Sequence, residues 1–145
     1  MLLREVDSQL GLLERISSCI TDVRDSRYID HTLKEMITQR VFQIAAGYED
    51  CNDCNDLGSD MVMKACANRL PQTGEDLASQ PTMSRLENTV TTRDLYKIGR
   101  ELLDFFVTSY PTQPRAIIID CDDTNSNTYI KLNGILLYGK ILHCD

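Results

Sequence analysis

Three carboxylates, Asp120, Asp122 and Asp123, follow the apolar run Ala116-Ile117-Ile118-Ile119 and lead into Thr124. A short β-branched run of this kind reads as a buried strand whose tip carries its acids out to solvent. Carboxylates placed there are hard oxygen donors, suited to Mg²⁺ or Mn²⁺, the ions of phosphoryl transfer. Strand residues two apart share a face, so Asp120 and Asp122 point together. Asp123 faces the other way unless the strand has already ended. A two-metal site needs further carboxylates from later elements, and little of the chain follows to supply them. The competing reading is a solvated acidic turn after an edge strand, held by Asx-type backbone bonds.

The elements ahead of this strand read as helical. Apolar residues at 10, 12, 13, 16, 19 and 20 define one helix. A second is expected from Ile29 to Ala46, with Leu33, Met36, Ile37, Val41, Ile44 and Ala45 inward and Gly47 as its C-cap. The turn from Asp50 to Asp56 is acidic. Ser59 or Asp60 should cap a short helix carrying Met61, Met63, Ala65 and Cys66. Ser79 and Pro81 should open another with Met83, Leu86 and Val90. Thr91 or Thr92 should cap the longest, Arg93 to Ser109, with Leu95, Ile98, Leu102, Leu103, Phe106 and Val107 on one face. Phe105 and Phe106 read as core. Pro111 and Pro114 mark a linker into the strand at 115–122, and 129–132 suggests a second strand.

Composition narrows the class. The 145-residue chain is 42% hydrophobic and 26% charged, as a folded domain is. No apolar stretch spans a bilayer, and Met1-Leu2-Leu3-Arg4-Glu5 lacks the basic-then-apolar pattern of a signal peptide, so a cytoplasmic protein away from membranes is expected. Six cysteines are then best read as reduced thiols. Cys51-Asn52-Asp53-Cys54 has only Cys66 nearby, too little for a structural zinc site. Net charge is −7, with five acids and no base between Glu49 and Asp60. That argues against a self-sufficient basic DNA-binding module, but does not exclude a nucleic-acid enzyme. His31, beside Asp30, reads as structural. Arg85 reads as an exposed helix arginine paired with Glu87 or Glu101, its alternative being a DNA phosphate contact.

Three segments together resemble the group-one DDE transposases of bacterial insertion sequences. They are Gln39-Arg-Val-Phe-Gln-Ile-Ala-Ala-Gly-Tyr-Glu-Asp50 with Asn52-Asp53, then Asp76-Leu-Ala-Ser-Gln-Pro-Thr-Met-Ser-Arg-Leu-Glu-Asn88, then the strand ending Asp120-x-Asp122-x-Thr124. The resemblance runs from about Leu10 to Thr128. It implies a mainly α fold with a short β portion: a helical N-terminal region, 1–110, leading at 111–145 into the first strand of an incomplete RNase H-like α/β core. It implies Asp122 as the first acid of the catalytic set, with Asp120 as a second acidic neighbour, both as metal ligands for Mg²⁺ or Mn²⁺. It implies DNA at insertion-sequence ends as partner, with self-association or association with full-length transposase as a further expectation. From Ile130 the tail departs from the family pattern and reads like a shifted frame. The second Asp and the Glu are missing, so an inactive, truncated or frameshifted fragment is expected. Two alternatives stay open. Asp120-x-Asp122-x-Thr124 also looks like the first motif of haloacid-dehalogenase-type phosphatases, with Asp120 as nucleophile and Asp122 as general acid/base. The helices alone could serve as a non-catalytic interaction module.

Overall fold

A helical unit spans Met1–Ser109, and Tyr110–Asp145 fall in a second unit. The computed structural model describes residues 2–112 and Ala116. The expected strands at 115–122 and 129–132, and with them Asp120, Asp122 and Asp123, lie outside the described residues.

Among the described residues the chain is helical, without a strand. The order is α1 (Leu2–Leu10), α2 (Leu12–Cys19), a 3₁₀ turn (Ser26–Tyr28), α3 (Leu33–Ala45), α4 (Asp53–Leu57), α5 (Met61–Cys66), α6 (Gln80–Thr89) and α7 (Thr92–Thr108). None of these is long and apolar enough to cross a membrane.

Local chemistry sets most boundaries. Gly11, at φ +65°, breaks α1 from α2, and the Leu13 N–H donates to Asp7 Oδ1 at 2.9 Å across that break. The expected single helix from Leu10 is therefore two, and α1 was not foreseen. Helix α3 begins at Leu33 rather than Ile29 because Thr32 and Glu35 form a reciprocal capping box. It ends as expected at Gly47. Its N–H reaches Ile44 O at 3.0 Å while the Tyr48 N–H reaches Gln43 O at 2.9 Å, a Schellman closure with Gly47 at φ +91°. Asp60 caps α5, and Thr91 caps α7 in a second box with Asp94. Helix α4 lies within the expected acidic turn.

The Gly47 closure yields a direct expectation. A Cβ there would meet no atom within 4 Å, so the cost of Gly47→Ala is the left-handed backbone alone. Unfolding by urea should show stability lower by about 1–2 kcal/mol. An unchanged midpoint would mean the α3 terminus adapts at no cost.

Two adjoining clusters form the core. Leu13, Ile37, Phe42, Met63, Cys66, Ala67 and Leu77 make one, joining α2, α3 and α5. Met36, Cys54, Ala78 and Met83 make the other, joining α3, α4 and α6. The inner face of α3 differs from expectation. Val41 and Ile44 are exposed, while Gln39 and Gln43 are fully enclosed.

Helix α7 also departs from its pattern. It packs mainly on α2, where Lys97 Nζ donates to Cys19 O at 3.0 Å and the Arg15 guanidinium stands 6.0 Å from the Phe105 ring centre. Asp94 is its only buried residue. Leu95, Leu102, Leu103 and Val107 are exposed, Phe105 is half-buried and Phe106 is 40% exposed. The expected core role of this face, Phe105 and Phe106 included, is corrected among the described residues. Its main partner, the eight-residue α2, covers only part of a 17-residue helix.

Candidate functional site

The two helical segments that carried the family resemblance meet in space. Gln39 Nε2 donates to Ala78 O at 2.9 Å, and the Ala78 N–H donates to Gln39 Oε1 at 3.0 Å. One side-chain amide thus mimics a strand partner for a backbone 39 residues away. Arg40 Nε donates to Glu87 Oε1 at 2.7 Å and its Nη2 to Glu49 O at 2.8 Å. Asn55 Oδ1 accepts from the Gln80 N–H at 3.0 Å, fixing the start of α6. Residues 39–50, 52–55 and 76–88 are therefore one frame, anchored by polar side chains.

Arg69 holds a second junction. It sits at the end of α5, where Asn68 at φ +63° turns the chain. Its Nη1 reaches Asp76 O at 3.2 Å, and its Nη2 reaches Asp30 O and His31 Nδ1, each at 3.1 Å. Glu35 lies 3.4 Å away. Burial would raise the Glu35 carboxyl, but bonds from the Thr32 N–H and hydroxyl and the charge of Arg69 bring it below its usual value.

His31 responds to the same junction. Burial first, then the Arg69 charge, hold its imidazole below the usual range, against the opposing charges of Glu35, Asp30 and Glu75. The unfolded chain takes up a proton at about pH 6.5 that the folded chain refuses, so stability should fall as pH drops through that value toward the folded pKa. Urea midpoints between about pH 7.5 and about pH 5.5 should show this fall, and His31→Gln should flatten it. Equal slopes in both proteins would remove His31 as the cause.

A groove of about 480 Å³ opens between the α2–α3 connection and α6. Leu33, Met36 and Leu86 form its floor, and Thr82, Arg85 and Thr89 its α6 edge. A second hollow of about 520 Å³ shares Thr21, Val23 and Thr89 with the first and adds Thr91, Arg93 and Lys97. Arg24 is held by Asp22, with contacts at 2.6 and 2.8 Å. Those bonds keep the Asp22 carboxyl below its usual range despite some burial. Lys97 is held by Asp94 at 3.0 Å, whose carboxyl is lowered by the Thr91 hydroxyl and then by Lys97. Arg85 has neither expected partner: Glu87 goes to Arg40 at 2.7 Å, and Glu101 lies 3.8 Å from Arg15. Nothing in the sequence marks Arg93. It joins Arg85 only because the α6–α7 corner brings both to adjoining hollows.

Among the described residues no group of three or more His, Cys, Asp or Glu side chains could hold a metal ion. Cys19, Cys51 and Cys54 are free thiols. Cys54 Sγ donates to Gln43 Oε1 at 3.2 Å. Burial, then the hydrogen bond and charge of Glu87, push the Cys51 thiol up to about 12, so it stays protonated at neutral pH and is neither a ready ligand nor a nucleophile.

Comparison with known proteins adds the decisive relation. No curated protein and no solved structure matches the chain. The model of the family described as transposase DDE domain, group 1, matches residues 1–135. That span takes in the helical frame and the Asp120-x-Asp122-x-Thr124 motif alike, and the chain belongs to the group 1 DDE transposases.

Proposed function

We propose that this chain is the helical region, residues 1–110, and the opening of an RNase H-like catalytic core, residues 111–145, of a transposase. Its partner is DNA at the ends of an insertion sequence, and its place of work is the cytoplasm. The observation that carries this reading is the family match, which runs through the acidic motif as well as the helices. Asp122, two residues before Thr124, takes the role of first catalytic acid, with Asp120 as its acidic neighbour in the motif. Both offer hard oxygen donors that fit Mg²⁺ or Mn²⁺. Such ions, when bound, activate an attacking hydroxyl and stabilise the departing oxygen of a phosphodiester. Asp122 and Asp120 would hold such an ion through their carboxylate oxygens.

Two neighbouring carboxylates do not make a complete two-metal set, so the chain alone is inactive in cleavage and strand transfer. The test is Mg²⁺- or Mn²⁺-dependent nicking of a duplex carrying the insertion-sequence end. No nicking is expected from the purified chain, and metal-dependent nicking would overturn its inactivity.

The exposed Leu95, Leu103 and Val107 of α7 favour a second role, association with a complete transposase. Co-purification of the two, lost in Leu103→Glu, is the expected result. Equal recovery of the variant would remove α7 from that contact.

A further inference from the structure

The groove beside α6 gathers charges that the sequence scatters. We propose that its Arg85 and Arg93 edge is a contact surface for the sugar–phosphate backbone of duplex DNA, with the transposase reading supplying the identity of the polyanion. Both arginines are exposed, and neither makes an ion pair among the described residues, whereas the neighbouring Arg24 and Lys97 are each held by an acid. Those acids, Asp22 and Asp94, are thereby neutralised. Asp30 is the one other acid lining the hollows among the described residues, set against the two arginines. The edge is therefore locally positive on a chain whose net charge is −7.

Hydroxyl groups complete the chemistry. Thr21 lines both hollows. Ser79 and Thr82 share one hydrogen bond at 3.3 Å, which leaves one hydroxyl proton of the pair available to an outside acceptor. Arginine with serine and threonine hydroxyls is the usual donor set for phosphate oxygens, which position a duplex without reading its sequence. The two hollows share Thr21, Val23 and Thr89, so their donors lie side by side on one surface. Adjacent donor groups suit successive phosphates better than a single small anion.

The test uses the full chain and a fluorescein-labelled duplex of mixed sequence, with affinity read by anisotropy over a range of KCl concentrations. Each phosphate contact contributes about 0.9 to the slope of log affinity against log salt. Arg85→Ala and Arg93→Ala should each reduce the slope by about 1, and the double variant by about 2. Thermal melting should stay unchanged, because both side chains are exposed and unpaired. Arg100→Ala, an exposed residue of α7 outside both hollows, should leave the slope intact. A slope loss in Arg100→Ala equal to that in Arg85→Ala would make binding diffuse and overturn the assignment. Displacement of the duplex by polyglutamate at equal charge would make the surface a site for acidic protein and overturn it too. A chain that binds no duplex overturns the groove alone, since the transposase reading is tested separately through Asp122.

Discussion

Asp122→Asn should lower metal-dependent DNA cleavage about a thousandfold when this chain is joined to a later catalytic segment that completes the proposed acidic set. The substitution keeps the size and shape of the side chain but removes its negative charge. An amide also offers one weak oxygen donor where a carboxylate offers two. Stabilisation of developing charge at such a centre amounts to several kcal/mol, and each 1.36 kcal/mol is tenfold in rate, which gives about three decades. Asp120→Asn should cost less, since Asp120 is the neighbour rather than the motif's matched acid. The readout is the single-turnover rate on an end-bearing duplex in Mg²⁺ and in Mn²⁺. A fusion carrying Asp122→Asn that cleaves as fast as its parent would remove Asp122 from the site. The reverse ranking, with Asp120 the costlier, would move the first catalytic acid two residues upstream.

Gln39→Ala should lower the stability of the helical unit by about 4 kcal/mol. The side chain is 2% exposed and Ala78 1% exposed. Its loss strands both the N–H and the carbonyl of Ala78 away from water, at about 1–3 kcal/mol each. The void left by the amide adds a cavity cost. Against a total stability of about 5–15 kcal/mol, a change of that size leaves a marginal fold. Gln39→Glu separates the two bonds at alkaline pH, where its carboxylate can accept from the Ala78 N–H but cannot donate to its carbonyl. Urea unfolding followed by circular dichroism measures both. A loss under about 1 kcal/mol for Gln39→Ala would mean that water or a local shift satisfies Ala78 instead.

That bond also shows where reading the sequence stops. Helix ends were legible at Thr91, Asp60 and Gly47, since capping depends on residues within one turn. The inner face of α3 was not, because hydropathy assigns Gln39 and Gln43 outward and Val41 and Ile44 inward. The structure reverses this, as the partners that make those amides buriable lie on other segments: Ala78 for Gln39, and Cys54 for Gln43. In α7 the apolar stripe was read correctly as a pattern, but a stripe does not reveal how much of it a neighbour covers. The sequence offers Glu87 or Glu101 to Arg85, while the fold gives Glu87 to Arg40, 47 residues away. The acidic pair Asp120 and Asp122 lies outside the described residues, and its role stays a proposal from residue type, spacing and the family motif.

Cys54 gives the molecule an internal clock. It is fully enclosed, with its thiol bonded to Gln43, and it lies where α3, α4 and α6 converge. A thiol reagent reaches it only when that junction opens, so its labelling rate reports the frequency of local opening, much as amide exchange does. The rate of global unfolding supplies the reference: labelling of Cys54 faster than that rate measures breathing of the junction alone.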